Sequence, residues 1–152
     1  CRMITAAINA LRGMPLAVAK VRASVITHDL AELHRSRIAN PGAGQLDAYR
    51  EKAAEAKAFN EMTTVQQAVA TEADWPWPAS AIDVARDLGQ TAPSLADVAT
   101  EVSTAQAAWS SAHIMIERLR RVANAGAEAA TTAEDVALAV EAMLDGLKGV
   151  SA

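Results

Sequence analysis

From Leu95 onward the apolar positions of this chain fall into a 3-4 rhythm. Leu95, Val98, Val102, Ala105, Trp109, Ala112, Ile116, Leu119 and Ala123 follow one another at alternating steps of three and four. Side chains at that spacing share one face of a helix, so residues 94–124 are predicted to form a long helix with a continuous buried seam. With Leu95 as position a of a heptad, the g positions add Ala108, Met115 and Val122 and widen the stripe beyond a two-stranded seam. That breadth suits the central helix of a bundle. Trp109, between Ala105 and Ala112, reads as a large knob with small neighbours. With Val102, Ile116 and Leu119 it makes up the predicted core of this helix, and Ile114 falls on the opposite face.

Breaker residues divide the rest. Helical spacing covers residues 1–39, where Pro15 behind Gly13-Met14 splits off a short leading piece. Asn40-Pro41-Gly42-Ala43-Gly44 is the strongest turn and should reverse the chain. A second helix is expected over 45–73, with Leu46, Tyr49, Ala53, Ala56, Phe59, Met62, Val65 and Val69 on its apolar side. Asp74-Trp75-Pro76-Trp77-Pro78 ends it. Each proline pushes the tryptophan before it into an extended conformation, which predicts a rigid strap over 74–79. Ser80, with Asp83 three residues on, is read as the cap of a short helix over 80–89. Ser94 with Asp97 opens the long helix, and Thr132 with Asp135 opens an acidic last helix over 132–148. The expected fold is all-α: an antiparallel bundle of four to five helices in a single domain, 1–152.

Composition sharpens this picture. The 152 residues include 37 alanines but only five aromatic side chains, so helices can approach closely while burying little area each. Stability must then come from several long helices or from neighbouring subunits, and a homo-oligomer is expected. Charge is segregated along the chain: residues 1–40 carry six basic and two acidic side chains, whereas residues 122–152 carry one basic and five acidic. Such an asymmetry reads first as two solvated faces, and it can also pair the two ends within one bundle or join one subunit to the next. The lone cysteine, Cys1, excludes a disulfide within the chain, and as a first residue it fits either a lipidated terminus or a trimmed one. No apolar run approaches the ~18 residues needed to cross a bilayer, so no membrane span is expected.

Candidate chemistry is sparse. His28 and Glu32 are four apart on the first helix, as are His113 and Glu117 on the long one. Facing each other, the pairs could offer a metal two imidazoles and two carboxylates. Dinuclear carboxylate bundles, however, use Glu-x-x-His, and the positions three before His28, His34 and His113 are Val25, Ala31 and Ser110. The pairs therefore read as solvent-facing helical contacts worth ~0.2–0.5 kcal/mol each, and no metal is expected. There is no Gly-x-Ser-x-Gly elbow and no glycine-rich phosphate loop, so no catalytic residue and no cofactor are assigned. Arg35 and Arg37, like Arg118, Arg120 and Arg121, form short clusters that complement helix C-termini in an acidic chain, and nucleic acid is not an expected partner. Trp75 and Trp77, held by prolines, suit either an interface or the closing of a bundle end. With Arg35, Arg37 and Ile114 they are the candidate interface residues.

One resemblance extends this reading. The order Tyr49-x-x-Lys52-x-x-Glu55-Ala56, Trp75-Pro76, Ala85-x-x-x-Gly89, Leu95-x-x-Val98, Trp109, Ile116-x-x-x-Arg120 and Thr132-Ala-Glu-Asp-Val136 is similar to an all-helical segment of tail proteins of tailed bacteriophages. It covers roughly residues 45–140. Members of that family usually carry other tail or fibre sequence ahead of this segment, where this chain has a basic amphipathic helix. The resemblance implies a structural or assembly role with other virion proteins as partners, in a virion or the bacterial cytoplasm, and no catalytic residues. The other reading is a small bacterial α-helical binding or regulatory module.

Overall fold

A computed structural model describes residues 2–38 and 45–151, and its described residues form helices with no strand. They are α1 (Arg2–Leu11), α2 (Leu16–Ile38), α3 (Gln45–Asn60), α4 (Thr64–Val69), a 3-10 turn (Glu72–Asp74), α5 (Pro76–Asp87), the long α6 (Leu95–Ala129) and α7 (Ala133–Leu147). No helix of the described residues is long and apolar enough to cross a membrane. Cys1 and the turn expected at Asn40–Gly44 lie outside the described residues.

Local chemistry explains where the helices start and stop. The first helix breaks at Gly13–Pro15, as its proline requires. The helix expected over 45–73 is instead three pieces, because Thr63 and Gln66 form a capping box that starts a new helix: Thr63 Oγ1 accepts from the Gln66 N–H, and the Gln66 side chain accepts from the Thr63 N–H at 2.8 Å. The strap expected over 74–79 is also different. Only Trp75 stays outside the helix, and Pro76 opens α5, with Trp77 and Pro78 in the first turn where missing N–H donors do no harm. Ser80 is therefore inside α5, its hydroxyl donating to the Trp77 carbonyl at 2.7 Å, rather than a cap.

Ser94 and Asp97 do cap α6 reciprocally, with Ser94 N–H to Asp97 Oδ2 at 3.0 Å and Asp97 N–H to Ser94 Oγ at 3.1 Å. The Ser94 hydroxyl, which donates to Asp97 Oδ2 at 2.7 Å, and then the Ser94 N–H hold the Asp97 carboxyl below its usual range. The helix then passes through Asn124-Ala125-Gly126 to Ala129 before Thr132 caps α7. Gly126 does not end it because it serves packing: a Cβ there would sit 3.2 Å from the Ala139 methyl of α7.

The chain divides into two compact units, Cys1–Asn40 with Trp109–Ala152, and Pro41–Ala108. In the first, α1, α2, α7 and the second half of α6 enclose a core of Ile8, Leu11, Leu30, Ile116, Val136, Val140, Met143 and Leu147, with alanines at the close approaches. Lys20 reaches the Glu128 carbonyl, Thr27 meets Asn124 and Arg35 meets Glu117, so α2 and α6 run antiparallel. Gly126 against Ala139 and Gly146 against Leu119 set the same sense for α6 and α7. Arg12 binds Glu134 and Glu141 of α7, each at 2.9 Å. The basic start and the acidic end of the chain thus meet inside this unit.

The second unit has a smaller core. Ala56, Phe59 and Ala99 are buried, with Met62, Trp75, Leu95 and Val102 packed on them. Phe59 meets the Trp75 ring edge to face at 5.2 Å between centroids. Arg86 joins α5 to the 3-10 turn through Glu72 at 2.6 Å and also binds Asp83.

Candidate functional site

The densest set of polar groups outside the caps lies between α2 and α6 in the first unit. Two helices supply it because their antiparallel register brings Arg35 opposite Glu117. The Glu117 carboxylate accepts from Arg120 at 2.7 Å, Arg121 at 2.9 Å and Arg35 at 3.1 Å. Those donors, Arg120 first and then Arg121, hold the Glu117 carboxyl far below the usual carboxylate range. Arg35 reaches back to Glu32 on its own helix as well. Arg35 thus ties α2 to α6 by an ion pair.

His113 sits one turn before Glu117 on α6. Its ring lies on the Trp109 indole, with centroids 3.9 Å apart and planes tilted by 38°. Its Nε2 is buried and finds no hydrogen-bond partner among the described residues. Burial, and then the charge on Arg35, push the imidazole below its ordinary range, while Glu32 acts in the opposite direction. The expected solvent-facing His113–Glu117 contact is therefore not what forms: the arginines occupy the carboxylate and the ring packs on tryptophan. His28 is exposed on α2, and His34 Nε2 is 3.0 Å from the Val150 carbonyl oxygen. No group of three or more His, Cys, Asp or Glu among the described residues is placed to hold a metal ion.

The other residues singled out by the sequence scatter. Trp109 departs from its expected place, being half-buried rather than enclosed. Every residue of 104–108 is exposed, so the heptad seam is not covered continuously. Spacing decides which residues share a face, and a tryptophan on that face is buried only where another element packs against its turn. Ile116 is buried in the first core, Leu119 packs at its edge and Val102 packs on the second.

Among the interface candidates, Ile114 is 71% exposed and Arg37 is exposed. Arg35 is taken up by Glu32 and Glu117, so it is a tie between helices rather than a free contact. Trp75 packs on Phe59, and the Trp77 N–H donates to Glu55 Oε2 at 3.1 Å, so both tryptophans are bound into the second unit. Arg35, Arg37 and Ile114 belong to the first unit, and Trp75 and Trp77 to the second.

The chain matches no family model, no curated protein and no solved structure. Its surfaces are read from their own chemistry. That chemistry includes an exposed aliphatic row that sequence patterning passed over, Val18, Val21 and Val25 on α2, and Met115 and Val122 on α6, which were expected to widen the buried stripe but are exposed. The 3-4 spacing of the α2 valines was open to view, but without the structure nothing tells the covered stripe of that helix from the bare one.

Proposed function

We propose that the chain is a non-catalytic structural or assembly protein of a phage-like virion, in its tail, fibre or connector region, working through protein contacts. The observation that supports this is the row of exposed aliphatic side chains on helices whose other faces already bury a core: Val18, Val21 and Val25 on α2, with Ile114, Met115 and Val122 on α6. Helical rows of exposed aliphatics gain free energy when a neighbouring subunit covers them, at ~25 cal/mol per Å² of apolar surface removed from water. The likeness of residues 45–140 to phage tail proteins supplies the setting, a virion or the bacterial cytoplasm in which one assembles. In this reading the helices form an antiparallel bundle of four to five with α6 at its centre. The partners are further copies of the chain and other virion proteins.

A second reading, a small bacterial helical binding or regulatory module, is favoured by α4. None of its residues is buried, and Val65 and Val69 are 76% and 74% exposed on one side of it. Such a short helix is stabilised when one partner covers it. Native mass spectrometry and sedimentation velocity over a range of concentrations separate the readings. The assembly reading expects discrete oligomers that dissociate when Val21→Asp and Val25→Asp are introduced together. A chain that stays monomeric at every concentration removes self-assembly.

A further inference from the structure

His113 has an environment that sets it apart from the other two histidines. A buried ring nitrogen without a hydrogen-bond partner is rare in a native protein, and Nε2 of His113 has none among the described residues. The ring lies 3.9 Å from a single indole, that of Trp109, tilted by 38° to it. Charged groups approach from two helices. From α2 the charges of Arg35 and Glu32, which are tied to each other, act on the ring, and His34 of the same helix is held by the Val150 carbonyl. On α6 itself Glu117 lies one turn on, engaged by Arg35, Arg120 and Arg121.

A neutral imidazole tolerates this place, because an unprotonated Nε2 has no hydrogen that needs an acceptor. A proton taken from solvent changes two things together. It creates a buried N–H donor, and it puts a positive charge next to Arg35, which joins α2 to α6 by an ion pair. Glu32 is the anion whose field favours the protonated ring.

We propose that His113 is a proton-operated latch on the contact between α2 and α6. Neutral, its ring rests on Trp109 beside an intact Arg35–Glu117 pair. Protonated, its charge repels Arg35 and loosens that pair. The direction of the pH effect follows from linkage. The folded chain holds His113 below its ordinary value, so an unfolded chain binds the proton more readily. The contact is at full strength above about pH 6.5, the ordinary histidine value, and weakens as pH falls below it. This inference concerns the first unit alone and stands whether or not the chain assembles.

The test uses the full chain carrying Trp75→Phe and Trp77→Phe, in which Trp109 is the remaining indole. An imidazolium quenches a stacked indole more strongly than a neutral imidazole does. Fluorescence followed from pH 8 to pH 4 should fall in one step with a midpoint below about 6.5. The step should vanish in His113→Phe, which keeps a ring on Trp109, and should move to lower pH in Glu32→Gln. Should the double Trp variant fail to fold, the His113 ring protons of the unsubstituted chain, assigned by difference from His113→Phe, give the same titration by NMR. The urea midpoint should also drop more between pH 7 and pH 5 in the parent than in His113→Phe. A flat titration, a step that survives His113→Phe, or equal urea drops would overturn the latch.

Discussion

Gly146 offers a substitution whose sign can be worked out in advance. It is the next-to-last residue of α7, and alanine there should gain part of the ~0.5–1 kcal/mol that separates alanine from glycine inside a helix. Against this stands Leu119 of α6: a Cβ on Gly146 would lie 2.6 Å from Leu119 Cδ2, 3.2 Å from Cδ1 and 3.5 Å from Cγ. Carbon atoms rest at about 3.5–4.0 Å, so the nearest methyl must retreat by roughly 1 Å. All three atoms belong to one side chain that is only partly buried, so part of the strain relaxes by rotation. Overpacking of this kind costs about 1–3 kcal/mol, which leaves Gly146→Ala destabilised by about 1 kcal/mol. For a chain of this size that is a fall of roughly 2–4 °C in Tm.

The decisive measurement is a double-mutant cycle by urea denaturation. In a Leu119→Ala background the obstruction is gone, and Gly146→Ala should then stabilise by a few tenths of a kcal/mol at about the same m-value. The expected coupling is about 1–2 kcal/mol. If Gly146→Ala has the same effect with and without Leu119, the helices do not approach each other here as described.

Two further outcomes follow from burial. Ile116→Ala should cost about 2–5 kcal/mol, whereas Trp109→Ala should cost less than the ~3–5 kcal/mol of an enclosed aromatic because its ring is half-exposed. Chemical denaturation of both variants checks the order, and a larger loss at Trp109 would contradict its placement. Thr27 is fully buried, with its hydroxyl 2.7 Å from the Asn124 side-chain oxygen and 3.0 Å from the Ser24 carbonyl. Thr27→Val keeps the shape and removes the donor, so a loss of about 1–3 kcal/mol is expected, reduced when Asn124→Ala is added. A neutral Thr27→Val would mean that the hydroxyl is not tied to α6.

Local signals were legible in the sequence wherever a few adjacent residues decide the outcome. Pro15 broke the first helix, and Ser94 and Thr132 marked the starts of α6 and α7 within a residue. Two misses were of the same local kind and could have been read: Thr63-x-x-Gln66 is a capping box, and Pro76 suits a first helical turn as well as a break. The remaining misses depend on which helix faces which. Heptad spacing placed Trp109 on the seam but could not say that residues 104–108 stay exposed. His113 and Glu117 were visible as a pair on one helix. That Arg35 joins Glu117 across 82 residues depends on the register of α2 on α6, which no short window of sequence contains.

The division into two units also orders the assembly of the chain in time. The unit of Pro41–Ala108 is contiguous and can close as soon as it is synthesised, whereas the other needs α7 to complete a core that α1 and α2 begin. Its contacts are long-range, Arg12 with Glu141 being 129 residues apart, and pairings of that separation form slowly. Collapse of the contiguous unit shortens the loop that must be closed, and each halving of a flexible loop lowers the entropic cost by about 0.6 kcal/mol. The inserted segment is thus a folding aid for the unit that it interrupts. Until α7 arrives, the apolar faces of α1 and α2 wait uncovered, and this is the interval in which a nascent chain is most exposed to aggregation and to chaperones.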